Sequence, residues 1–233
     1  NINELIVYKN IKVYRVKSNI NYLYKIVDKL TWFQYQQILN IINDSYYLNK
    51  KLTEINKKNT IDLVQYANYL SVGLFIPRKI NSVMRISSSQ QLLEIANGNT
   101  SFSIKDKINH YLENLTFKKA NNIFGPSHFL ASKIGHQYKK KVPVIESPYN
   151  LNINENNNIL NDINSITNNS PYILYFGRLA LYKGVIDLAE ILNELLTNNP
   201  SFYFIIIGKD LGYKGEPTIN YVLKKVGNKK NRL

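Results

Sequence analysis

Arg178 and Lys183, five positions apart and each beside a glycine, are the side chains of this sequence best suited to holding an anion. They belong to residues 171–184, which read Pro-Tyr-Ile-Leu-Tyr-Phe-Gly-Arg-Leu-Ala-Leu-Tyr-Lys-Gly. Arginine grips a diphosphate through parallel N–H bonds, and lysine adds a compact point charge. Two solvated loop cations would show the same spacing. What separates the readings is whether the neighbouring elements bring both cations to one place.

Those elements are legible on both sides. Residues 172–176 form a short, aromatic-rich apolar run between Pro171 and Gly177, which predicts a buried strand. From Val185 the period changes: Val185, Leu188, Ala189, Leu192, Leu195 and Leu196 recur at helical steps. Asn198-Asn199-Pro200 stops that helix, and a second apolar run over 202–207 ends at Gly208. Strand, helix and strand make a βαβ unit with a right-handed crossover. Arg178 then leaves the carboxyl end of the first strand, and Lys183-Gly184 open the helix. That sheet edge is where ligands bind in open parallel sheets, and the helix start adds free N–H groups and a positive dipole end. After Gly208, the loop with Lys209, Asp210, Gly212 and Gly215 lets a ligand approach backbone closely.

The 233 residues are enough for one large domain or two small ones, with 44% hydrophobic and 20% charged residues as in ordinary globular chains. The most apolar stretch, 63–76, is interrupted by Gln65, Asn68 and Ser71 and falls short of a membrane span. No secretory signal opens the sequence. Cysteine is absent, which fits a reducing, cytoplasmic setting. The net charge of +14 calls for an anionic partner, although Lys, Asn, Ile and Tyr together also mark A/T-rich coding. The single methionine is Met84, so Asn1 reads as the start of a processed product or a fragment.

In chain order, residues 5–8 and 11–16 predict two short strands, and 22–52 a helical stretch rich in aromatics. Those rings (Tyr22, Tyr24, Trp32, Phe33, Tyr35, Tyr46 and Tyr47) read as core packing, with stacking on sugars or bases as the alternative. Lys50-Lys51 and Lys57-Lys58 flank an expected charge-rich loop. A strand over 79–86 leads into Ser87-Ser88-Ser89, which suits a turn and helix cap or donors to a ligand. Residues 103–120 predict a helix capped by Ser103 with Asp106 at its third position, and Pro126-Ser127 start another that Lys139-Lys140-Lys141 close against its dipole. Strands are expected over 122–125 and 142–145, so strand and helix alternate from about 61 to 147 as in a parallel α/β sheet. The asparagine-rich tract 150–170 shows no sustained period and reads as a linker, while 221–226 reads as a short helix before a basic tail.

Phe-Gly-Arg-Leu from 176, Tyr-Lys-Gly-Val-Ile-Asp-Leu from 182 and Phe-Ile-Ile-Ile-Gly from 204 resemble the opening of the donor-binding domain of family-4 retaining glycosyltransferases with the GT-B fold. Tyr111-Leu112-Glu113, Lys119-Ala120-Asn121, Pro126-Ser127 and Ile145-Glu146-Ser147-Pro148-Tyr149-Asn150 resemble the second half of the same family's acceptor-side domain. The resemblance covers about residues 60–215. It implies an α/β chain of two Rossmann-like parallel-sheet domains facing across a cleft, both incomplete: 1–149 on the acceptor side, 150–170 as linker and 171–233 as the truncated donor domain.

By the same resemblance Arg178 and Lys183, with Gly177 and Gly184, would hold the diphosphate of a nucleotide-sugar donor, and Ser87, Ser127 and Gly208 would line the cleft. The implied reaction moves the sugar to a hydroxyl of a glycan, lipid-linked or other acceptor with retention. No metal cofactor is expected, the cations neutralising the leaving diphosphate, and peripheral association with an anionic membrane fits the charge. Three departures stand beside the likeness. The chain ends before the family's paired glutamates, lacks the first strand with its Gly-rich loop, and carries Ser87 and Ser88 where many members have histidine.

Other chemistries find no support. His110, His128 and His136 have no metal-ligand spacing, and neither Gly-x-Ser-x-Gly nor a P-loop motif occurs. Two alternatives stay open: a basic, tyrosine-rich nucleic-acid-binding protein, against which the scattered lysines count, and a non-catalytic remnant of the transferase fold.

Overall fold

The computed structural model describes residues 4–18, 22–30, 35–148 and 157–233. It is a mixed α/β chain of short sheets and helices that divides into two units, Asn1–Leu92 with Thr100–Pro148, and Leu93–Asn99 with Tyr149–Leu233.

The first unit opens with an antiparallel hairpin, β1 (Glu4–Tyr8) and β2 (Ile11–Arg15). Two helices follow, α1 (Tyr22–Leu30) and α2 (Gln36–Lys58); Trp32 and Phe33 lie outside the described residues. The loop expected from Lys50 to Lys58 is instead the second half of α2. Its buried stripe runs Ile38, Ile41, Ser45 and Asn49, so polar residues carry the helical period onward where the apolar ones stop. Their burial is satisfied by hydrogen bonds. The Ser45 hydroxyl donates to the carbonyls of Ser71 and Val72, both at 3.1 Å, and Asn49 Nδ2 to that of Val72 at 2.8 Å.

A parallel sheet in the order β3 (Val64–Ala67), β4 (Ser82–Arg85), β5 (Asn122–Phe124) forms the centre of this unit. The helix α3 (Gln90–Ala96) begins in this unit and ends among the residues grouped with the second, and α4 (Ile104–Lys119) and α5 (His128–Tyr138) alternate with or follow the strands. Met84, Ile86, Phe117, Ala120, Ile123, Leu130 and Ile134 pack into one core. The capping box of α4 is in place: the Ser103 hydroxyl accepts from Asp106 N–H at 3.2 Å, and the Asp106 carboxylate accepts from Ser103 N–H at 2.8 Å. The strand expected over 142–145 reduces to one parallel bridge, Gly125 to Val144, since Pro143 has no N–H to extend the ladder. Lys139 to Lys141 also act differently from expectation. Lys139 ends α5 in the left-handed region (φ 53°), while Lys140 Nζ donates to the carbonyls of Phe117 at 2.8 Å and Lys118 at 3.0 Å, and to that of Ala120, closing α4 instead.

The second unit contains α6 (Asn157–Thr167), β6 (Tyr172–Phe176), α7 (Val185–Asn198), β7 (Tyr203–Ile207) and α8 (Thr218–Val226). Helix α6 overturns the linker expected through 150–170. Ile163 and Thr167 lie one turn apart and turn inward, a period too short and too diluted by asparagine to register in sequence. Asn168 and Asn169 end the helix at φ 52° and 56°, a left-handed conformation that asparagine tolerates. Strands β6 and β7 pair in parallel from Tyr172↔Tyr203 to Phe176↔Ile207, and α7 connects them as the predicted βαβ unit. The α7 stripe Val185, Ala189, Leu192 and Leu196 packs with Phe204, Val222 and Val226.

Among the described residues the sheet of this unit is covered on one face, which corrects the buried strand expected over 172–176. Ile173 and Tyr175 pack on the core, whereas Tyr172, Leu174 and Phe176 are exposed, Phe176 by 80%. The basic tail is tied down as well. Arg232 donates to the carbonyls of Leu196 (2.8 Å), Asn199 (3.0 Å), Pro200 (2.9 Å) and Phe202 (3.2 Å), gathering the end of α7 and the turn after it.

Replacing Ser103 by Ala removes the α4 cap and should lower stability by about 1 kcal/mol. A urea melt with an unchanged midpoint and slope would show that α4 does not depend on its capping box.

Candidate functional site

The junction between β6 and α7 is built from backbone first. Gly177 continues the ladder, its N–H donating to Ile207 O at 2.9 Å, and Leu179 N–H donates to Lys209 O at 3.0 Å. The two chain segments therefore run side by side beyond their strands, with a further bridge from Leu179 to Asp210. Gly208 is required here by space as well as by conformation. Its φ is +158°, and a Cβ at that position would lie 1.7 Å from Gly177 O. No rotamer relieves a clash between two backbones, so any side chain at 208 drives the loops apart. Gly177 is its counterpart at φ +159°, with the Tyr175 hydroxyl 3.8 Å from where a Cβ would stand.

From Gly177 the chain turns through a short 3-10 segment, Leu181–Lys183, into Gly184, which is left-handed at φ 71°. Gly184 closes that turn and occupies the N-cap of α7, so the first turn of α7 has no side-chain cap. Leu179 and Ala180 are buried and anchor the loop, while Arg178 and Lys183 are exposed on either side of them. Among the described residues no hydrogen bond or ion pair holds the Arg178 guanidinium, whose own carbonyl accepts from Tyr175 Oη at 2.8 Å. Lys183 Nζ lies 5.4 Å from the Tyr182 ring centroid. One carboxylate shares the neighbourhood: Asp187 Oδ2 is 3.9 Å from the Cβ position of Gly184, in the first turn of α7. It complements the helix dipole and competes with any incoming anion for the same N–H groups.

Gly177 and Gly208 thus meet at the carboxyl end of the second unit's strands, and Arg178, Lys183 and Gly184 follow in the loop that leads from Gly177 into α7. Ser87 and Ser127 belong to the first unit and have structural partners. Ser127 is the N-cap of α5, its hydroxyl accepting from Leu130 N–H at 3.4 Å. Ser87 is exposed and donates its backbone N–H to Asn68 Oδ1 at 3.0 Å.

Two carboxylates with no role expected from sequence are held by the fold, Asp210 in the second unit and Glu113 in the first. Asp210 accepts from the backbone N–H groups of Gly212 (2.8 Å), Thr218 (2.9 Å) and Ile219 (2.9 Å), so it fills the amino terminus of α8. Desolvation opposes its ionisation, but the N–H groups of Ile219 and Gly212, with the hydroxyl and N–H of Thr218, outweigh it and hold its pKa down at about 2. The Asp-x-Gly spacing at 210–212 was the available signal for such a turn. In the first unit Glu113 is buried on α4 and accepts from Asn68 Nδ2 at 2.9 Å and Gln90 N–H at 3.2 Å. Burial pushes its pKa up against those hydrogen bonds. Nothing in the spacing of Asn68 and Glu113 announces this pair; it exists because the end of β3 meets the middle of α4.

Gly208→Ala should destabilise the second unit by more than an exposed glycine replacement does, roughly 3 kcal/mol or above, since backbone must move. A thermal melt within a degree of the parent would contradict the geometry. Asp210 sets a pH dependence of known sign. Its folded pKa of about 2 lies below the ordinary carboxylate range, so its contribution is present above about pH 4 and is lost as pH falls towards 2. Asp210→Asn should flatten that acid limb; an acid limb of unchanged depth would show that other groups carry it.

Comparison with known proteins returns no matching family model and no matching curated protein.

Proposed function

We propose that this chain is part of a sugar transferase that uses a nucleotide-diphosphate donor, and that the β6–α7 junction holds the donor's diphosphate. The observation that carries the reading is the junction itself: two exposed cations, neither engaged by a carboxylate among the described residues, flank the uncapped start of a helix at the carboxyl end of a parallel strand. Glycines at 177, 184 and 208 keep Cβ atoms out of that edge. Arg178 supplies a planar fork for two phosphate oxygens, Lys183 a mobile charge, and the first turn of α7 its N–H groups.

The chemistry asked of these groups is electrostatic. As the bond between sugar and diphosphate breaks, negative charge grows on the departing phosphate. Fixed cations and a helix dipole stabilise that charge without reorganising. On this reading transfer goes to a hydroxyl acceptor with retention of configuration, in the manner of the GT-B enzymes whose motifs the sequence resembles. Asp187 sets the cost of entry, since its carboxylate must yield the α7 amino terminus to the phosphate.

Arg178→Ala should weaken binding of a nucleoside diphosphate by about 1.5–3 kcal/mol, the range for charge-assisted hydrogen bonds. Titration calorimetry with uridine and guanosine diphosphates checks it. Binding of equal strength in the variant would remove Arg178 from the site. Asp187→Asn should act oppositely and tighten binding by a few tenths of a kcal/mol to about 1 kcal/mol.

A further inference from the structure

The excess positive charge of this protein is confined to one unit. Residues 1–92 with 100–148 hold 21 Lys and Arg against 8 Asp and Glu, whereas residues 93–99 with 149–233 hold 9 against 8. A codon bias that favours lysine acts on the whole chain and does not explain a division at the boundary between units. The charge is also ordered by the fold. Each strand of the first unit's parallel sheet is entered through consecutive cations: Lys57-Lys58 before β3, Arg78-Lys79 before β4, Lys118-Lys119 before β5, and Lys139-Lys140-Lys141 before the Val144 bridge. The strands run parallel, so the segments that carry these cations all enter the sheet at its amino-terminal edge. These entry segments hold one acid, Asp62.

Structural duty accounts for two of the nine. Lys119 Nζ donates to Leu74 O at 3.0 Å, and Lys140 closes the end of α4. The other seven are exposed, and their side chains have no hydrogen bond or ion pair among the described residues. Helix dipoles do not explain them all, since Arg78 and Lys79 follow no α-helix. Two grooves open on this edge, of about 680 Å³ and about 520 Å³. Lys118 lies between them and lines both, with Lys141 in one and Arg78 in the other, and no carboxylate lines either.

We infer that this edge docks the protein on an anionic lipid surface, the grooves receiving phosphate-bearing headgroups. Seven free cations are within the number that reads as an anionic-lipid cluster. A single-stranded nucleic acid is the other polyanion of matching charge, and it calls for rings presented to its bases. The aromatic residues in these grooves are Tyr66 and Phe124, both partly buried; Tyr66 packs on the core, and burial pushes its hydroxyl up to about 12. Ligands of open α/β sheets bind at the opposite, carboxyl edge, which leaves that end of the first unit's sheet clear of the docking edge.

The test is co-sedimentation of the full chain with phosphatidylcholine vesicles carrying about one third phosphatidylserine. Binding should be absent with phosphatidylcholine alone and should fall with salt. The variant Arg78→Gln/Lys118→Gln/Lys141→Gln removes three free cations and should lower partitioning about 100-fold, near fivefold for each. Lys214→Gln/Lys224→Gln/Lys230→Gln removes the same charge from the second unit and should change it little. Circular dichroism and a thermal melt establish that both variants are folded. Equal losses in the two variants would reduce the effect to net charge and overturn the docking edge. So would equal binding to neutral vesicles, or tighter binding to a single-stranded oligonucleotide than to the anionic vesicles at the same salt. None of these readouts involves Arg178 or a nucleotide, so this inference and the transferase reading stand or fall separately.

Discussion

The carbonyl oxygen of Gly177 occupies the space that any side chain at residue 208 would need. That contact holds the segments beyond β6 and β7 together after the strands end. With them adjacent, Leu179 exchanges hydrogen bonds with Lys209 and Leu211. Leu179 is thereby buried between exposed Arg178 and the turn that carries Lys183. The position of the cations is a consequence of backbone packing between two glycines, and the side chains themselves are free to answer a ligand.

The helix starts show how selective that arrangement is. The amino terminus of α8 is filled by Asp210 and that of α3 by Glu113, while α4 and α5 are capped by Ser103 and Ser127. Helix α7 has glycine at the cap and Asp187 in its first turn, and like α2 it starts without a side-chain cap, so its first N–H groups are left to an external anion. The same contrast separates the two units in charge. The nearly neutral second unit concentrates two cations at one junction, whereas the first spreads seven free cations along a sheet edge. A focused pair suits a small diphosphate and an extended row suits a surface.

Much of the second unit was legible because its signals are local. The change of period at Val185, the stop at Asn198 to Pro200 and the glycines closing both apolar runs are each a property of a few neighbouring residues. What could not be read depends on distant partners. Helix α2 continues past Ile42 because Ser45 and Asn49 find carbonyls at residues 71 and 72, and no window of sequence contains both. Helix α6 hides among asparagines. The exposure of Phe176 is a property of the sheet, which is covered on one face, and an apolar run alone does not say how many faces are covered. At the site, the cations and glycines were visible as types and spacing. The reason for Gly208 was not, since it lies in a backbone thirty-one residues earlier.

Backbone amide shifts on adding uridine diphosphate to the isotopically labelled chain test the central claim most directly. The account predicts saturable shifts at Gly177, Arg178 and Gly184 and in the first turn of α7, Val185 to Asp187, reduced in Arg178→Ala. Saturable binding that leaves those amides unmoved, or that perturbs only residues elsewhere, would contradict it.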